Sequence, residues 1–142
     1  MAITSHIPVG ARRSIMNKEV DFDNDTFKYM LLSASYTPAY ASHRYKSDLS
    51  NEVSGTGYTA GGVTVSLTSI TYDSGTDQLA ILFANPTWTS ASFSSPTYGV
   101  LYDSTPGSDA TRPIILIHDF GGAQTIAGGF AVTWAPTGTL RI

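Results

Sequence analysis

Residues 51–62 read NEVSGTGYTAGG and bring a carboxylate, a phenol and four glycines into twelve positions. Glycine turns of this density hold phosphates when Lys-Ser/Thr follows the last glycine, or dinucleotides when a strand precedes them and a helix follows. Neither condition is met here. Val63, Val65 and Leu67 alternate with Thr64, Ser66 and Thr68, so a strand opens directly after Gly62. The run is therefore expected to be a structural loop. Tyr58 packs, Glu52 belongs to the same loop, and at least one of Gly55, Gly57, Gly61 and Gly62 takes positive φ, which glycine alone adopts without strain.

Other chemistry-bearing residues fall short of a site. Asp21, Asp23 and Asp25 begin like a calcium loop, but Thr26 stands where glycine is needed and Leu32 where the bidentate glutamate belongs. A solvated acidic turn is expected instead. His118-Asp119 resembles half of a catalytic pair, yet strand neighbours point to opposite faces and cannot make a base–orienter contact. No G-x-S-x-G elbow and no H-E-x-x-H pair is present, and His6, His43 and His118 are expected to be structural or surface residues. No hydrolase activity, metal site or cofactor is expected. Trp88 and Trp134 lie among alternating threonines. Buried, they fill the core; exposed, they would stack on sugar rings or anchor an interface.

The elements holding these residues are β-type. Thr, Tyr, Val and Ile suit pleated surfaces, and Gly supplies turns. The apolar run in TFKYMLLSASYTP ends at Pro38 as a largely buried strand would. A hairpin follows in 61–85, with DSGTD as its turn and Leu79 to Phe83 running back. Further strands are expected around Trp88 to Phe93, Tyr98 to Tyr102 and Ile114 to Phe120, with a long exposed loop at 104–113. The segment 39–53 is the most charged and least β-like, with room for a turn of helix. Short strands punctuated by Gly, Pro and Asp indicate an all-β, antiparallel sandwich or barrel.

The chain has 142 residues, enough for one domain with one core. Only 13% of residues are charged against about 25% in ordinary globular domains, which leaves surface for a partner to cover. The net charge of −3 offers no general attraction to nucleic acid or anionic membrane. There are no cysteines, hence no disulfides or thiolate metal sites. The start has no apolar core of signal-peptide length and no later stretch is long enough to span a membrane, so synthesis in a cytoplasm is expected.

Residues 1–20 show neither a helical stripe nor alternation. They are expected to form an extended N-terminal arm, or else a frayed end or an edge strand, beside a single β domain at 21–142.

At LLSASYTP, SDLSNEVSGTGYTAGGVTV and ITYD, and again at the closing GGFAVTWAPTGTLRI, the chain resembles small structural proteins of tailed-bacteriophage virions. The match covers residues 22 to 142, and N-E-V-S-G-T-G-Y is its most specific part. The resemblance implies a virion component made in the host cytoplasm. The expected role is a capsid decoration, or cement, protein bound to the major capsid protein. Homo-oligomers are expected, as trimers on the lattice three-folds. Ile7, Val9 and Ile15 in the arm would enter apolar pockets while Arg12 and Arg13 pair with carboxylates. A head-fibre or tail-associated module binding host glycans is the alternative, with exposed tryptophans as its signature.

Overall fold

A computed structural model describes residues 3–135 and 138–142. The first two residues of the expected arm, and 136–137 in the closing run, lie outside the described residues. The elements run β1 (Thr4–His6), α1 (Val9–Met16), β2 (Phe27–Leu32), β3 (Gly55–Thr56), β4 (Val63–Val65), β5 (Leu67–Asp73), β6 (Gln78–Phe83), β7 (Thr87–Phe93), β8 (Tyr98–Asp103), β9 (Ile114–Asp119), β10 (Gly128–Ala131) and β11 (Leu140–Arg141). Two 3₁₀ turns, Lys46–Asp48 and Asp109–Thr111, lie in the connections. Among the described residues no helix is long and apolar enough to cross a membrane.

All pairings are antiparallel, as expected for an all-β sandwich. A five-stranded sheet runs β1-β9-β8-β2-β4, and two three-stranded sheets run β10-β7-β3 and β11-β6-β5. The five-stranded sheet is buried on both faces. One face sends Phe27, Tyr29, Leu31 and Leu101 against Ile81, Phe83, Trp88 and Phe93 of the smaller sheets. The other places Met30, Leu32, Val100, Ile114 and Ile117 under Tyr36, Tyr40 and Leu49 of the segment after β2. After Lys28, strand β2 therefore reads as a continuous apolar run from Tyr29 to Leu32, because alternate residues enter two different cores.

The hairpin expected over 61–85 is split. Strands β5 and β6 pair around the turn at 74–77, whereas β4 pairs with β2. At Ser66 the chain crosses from one sheet to the other.

The N-terminal arm is a correction. Residues 4–6 form the edge strand β1 on β9, with Ser5 opposite His118, so the edge-strand alternative is the one seen. Residues 9–16 form a helix that the sequence pattern conceals. Its inward positions are the small residues Ala11 and Ser14, both fully buried, rather than a run of large apolar ones. Pro8 precedes it with φ already at −58°. Its end is a Schellman motif, in which Glu19 N–H bonds Ser14 O at 2.9 Å and Lys18 N–H bonds Ile15 O at 3.2 Å. Lys18, at φ 62°, holds the left-handed position that glycine usually marks. The helix is tied down by Arg44, whose Nε donates to Ser14 Oγ at 3.1 Å and whose guanidinium pairs with Glu19. Tyr45 Oη donates to the other Glu19 oxygen at 3.1 Å.

Deleting residues 1–18 should therefore destabilise the domain by at least about 3 kcal/mol, since Ile3, Ile7 and Ile15 pack on the main core and Ala11 is fully buried. Chemical denaturation of the truncated chain checks this. An unchanged midpoint would mean that the helix contributes nothing to the fold.

Candidate functional site

The loop at 51–62 connects two sheets. Its first part lies along the end of β2, where Val53 N–H bonds Leu31 O at 3.1 Å and Ser33 N–H bonds Asn51 O at 2.8 Å. Residues 55–56 then pair as β3 with Phe93 and Ser92 of β7 in the opposing sheet. The chain next returns to β4, beside β2 again. Gly55, Gly57, Gly61 and Gly62 all have positive φ. Gly62 has a second constraint. A Cβ on it would lie 1.9 Å from the Tyr29 carbonyl oxygen.

Glu52 and Tyr58 close this bridge. Glu52 Oε1 accepts from Tyr58 Oη at 2.7 Å and from Gly61 N–H at 2.6 Å. The Tyr58 hydroxyl in turn accepts from Leu31 N–H of β2 at 3.1 Å. The Tyr58 ring stacks on Trp88 at 6.2 Å between centroids and tilts against Phe93 at 5.3 Å. One side chain thus spans the sandwich. Burial raises the Tyr58 phenol well above its usual range, and the loop's polar groups point at one another. Tyr102 Oη adds a 2.7 Å bond to Gly61 O. A depression of about 320 Å³ beside the loop, lined in part by Met30, Leu32 and Glu52, also contains Lys46 and Asp109. Those two are already paired at 3.0 Å.

The histidines are structural in placement. His118 is buried, with Nδ1 2.8 Å from Tyr29 Oη and its ring 5.2 Å from Trp134. Asp119 accepts from Gly121 N–H instead. His43 Nδ1 meets Tyr36 Oη at 2.7 Å, and His6 stacks on Tyr40 at 4.0 Å. Trp88 and Trp134 are 3% and 6% exposed, so both are core residues. In the acidic turn Asp21 accepts from Asp23 N–H and from the Asn24 side chain. No group of three or more metal-ligating side chains is assembled among the described residues.

The expected partner-binding residues divide by direction. Val9, Arg12 and Arg13 point outward from α1, whereas Ile15 on the helix and Ile7 before it turn inward onto the core. Met16, absent from the sequence-based set, joins the outward group. Val9, Arg12, Arg13 and Met16 stand at i, i+3, i+4 and i+7 and so share one helical face. With the helix hidden in the sequence, that face was hidden too. No family model, curated protein or solved structure matches the chain.

One buried carboxyl also escaped the sequence. Asp103 closes β8 at 0% exposure, and its Oδ1 accepts from Thr105 N–H at 2.9 Å. Burial, with Asp25 beside it, raises its pKa to about 6. His118 is shifted the other way, to about 4, by burial and then by His6. The two shifts oppose each other in stability. Between pH ~4.5 and ~6 the native Asp103 holds more proton than the unfolded chain, so its contribution improves on acidification. Native His118 holds less proton there, so its contribution worsens.

Asp103 should therefore offset part of the stability that His118 loses on acidification between pH ~4.5 and ~6. In Asp103→Asn that offset is gone, so acidification through the window should lower stability more steeply than in the wild type. Urea midpoints across the window check this; the same slope in both proteins would show that Asp103 carries no raised pKa. A second expectation concerns the glycines. Gly62→Ala should cost at least about 3 kcal/mol, because the Tyr29 strand must move. Gly128→Ala, at φ 78° with nothing near its Cβ, should cost only about 1 kcal/mol of backbone strain. Equal costs at the two positions, read by thermal unfolding, would contradict the close approach to β2.

Proposed function

We propose that the protein is a bacteriophage virion component, a capsid decoration protein that stabilises the head through contacts with the major capsid protein. The observation that carries this proposal is the outward face of α1. Val9 and Met16 are 63% and 83% exposed and flank Arg12 and Arg13 on the same face. Apolar ends around a cationic centre suit a shallow groove edged by carboxylates. The helix is already docked on its own domain, so binding does not incur the ordering cost of a free arm.

The role is mechanical. Contacts spread over neighbouring capsomers stabilise the lattice by mass action, and repetition over a symmetric shell adds avidity. Such a protein works as a homo-oligomer on the virion surface and needs no catalytic set or cofactor. The glycan-binding alternative requires exposed tryptophans, and both tryptophans of this chain are buried. The NEVSGTGY loop then serves the fold that presents α1.

Co-sedimentation with empty capsids, set against a panel of host-surface glycans, tests the assignment. Binding to capsids is expected. Arg12→Ala with Arg13→Ala should weaken it roughly tenfold, the scale of two exposed ion pairs, and added salt should weaken the wild type. Capture on glycans with no affinity for capsids would overturn the proposal.

A further inference from the structure

Strand β5 ends its sheet with an open edge. The direction of its free backbone groups follows from the far side of the hairpin. Leu79 in β6 exchanges both backbone hydrogen bonds with Ile142, at 2.6 and 3.0 Å. Ile81 O accepts from Thr139 N–H at 2.9 Å on that same side. An antiparallel strand residue points its N–H and C=O to one side. Leu79 and Ile81 therefore turn these groups away from β5, and their opposite residues Tyr72 and Ile70 form non-hydrogen-bonded pairs with them. The N–H and C=O of Ile70 and Tyr72 face the open edge.

The side chains there are also uncovered. Ile70, Tyr72 and Leu79 are 40%, 63% and 45% exposed. They lie on the face whose inner row, Ile81 and Leu140, is buried. The core face of this sheet thus runs out past the sandwich. Folded proteins ordinarily guard such an edge with Pro, Lys or a bulge. Residues 69–73, Ser-Ile-Thr-Tyr-Asp, contain neither Pro nor Lys, and the one register shift of β5 falls earlier, between Leu67 and Ser69.

We infer that β5 is a pairing edge for a second copy of this chain, antiparallel about a two-fold axis at Thr71. In that register Ile70 of each copy forms a hydrogen-bonded pair with Tyr72 of the other, so all four outward-facing residues of the two copies are satisfied reciprocally. On the apolar face Ile70 meets Tyr72, an aromatic–β-branched pair of the kind that stabilises sheets. On the opposite face Thr71 meets Thr71 and Ser69 meets Asp73. No like charges oppose. Asp73, the only charged residue of β5, is paired within its own chain with Arg141. The product is one continuous six-stranded sheet. This contact is isologous and closes at two copies.

The test uses the free 142-residue chain, so its outcome is independent of the capsid proposal. At roughly 100 µM, a concentration at which a micromolar contact is saturated, sedimentation equilibrium should give twice the chain mass of 15.1 kDa. Ile70→Glu with Tyr72→Glu, and separately Ile70→Lys with Tyr72→Lys, place like charges opposite each other and should each give the single-chain mass. Mixing the two double variants should restore a species of two chains. In the wild type, amide exchange at Ile70 and Tyr72 should slow as concentration rises, a readout that does not require the variants to fold. The inference fails if the wild type keeps the single-chain mass, if its oligomer survives in both double variants, if the mixture does not pair, or if exchange at these amides ignores concentration.

Discussion

The fold depends on how a sandwich of small sheets is kept closed at its middle, and Tyr58 is the residue that closes it. Its ring belongs to the core of the β10-β7-β3 sheet, against Trp88 and Phe93, while its hydroxyl reaches Leu31 N–H in the five-stranded sheet. A phenol withdrawn from solvent is stable only if its oxygen is satisfied. Glu52 supplies the acceptor and also holds Gly61 N–H. Four glycines at positive φ let the chain cross between sheets and return within a few residues. The loop that most resembles a ligand cradle is thus filled by the protein itself.

A second constraint follows from β2. Paired on both edges and buried on both faces, it needs a cover on the side away from the smaller sheets. The segment at 33–50 is that cover, and it reaches the N-terminal helix through Arg44 and Tyr45. Helix α1 is therefore held from two directions, by its own inward residues and by the cover. That rigidity makes its outward face a presented surface. The open edge of β5 lies in a different sheet, so contact with a capsid and contact with a second copy place separate demands on the chain.

What the sequence disclosed depended on whether burial leaves a periodic trace. Strand β2 was legible because six consecutive residues are bulky and five of them are fully covered. The β5–β6 hairpin and the Tyr58 loop were legible through turn chemistry. The helix was not, because eight residues give little more than two turns, its buried positions are Ala and Ser, and a lysine holds the C-terminal left-handed position. The cover was not, because Tyr36, Tyr40 and Leu49 are irregularly spaced and carried by polar chain. Ser66 gives no sign that the strand changes sheet there. Asp103 reads as an ordinary polar strand end, and its neighbours Asp25 and Pro113 are distant in sequence.

The central claim is that Glu52 and Tyr58 act as one clasp for the fold. A double-mutant cycle on Glu52→Ala and Tyr58→Phe, read by denaturant unfolding, tests it most directly. Glu52→Ala removes the acceptor of the Tyr58 hydroxyl and Tyr58→Phe removes the donor to Glu52, so the pair should show a coupling of about 1 kcal/mol or more, with the double variant less destabilised than the sum of the singles. Additive effects of a few tenths of a kcal/mol would mean that the loop is a surface feature and that the sandwich closes without it.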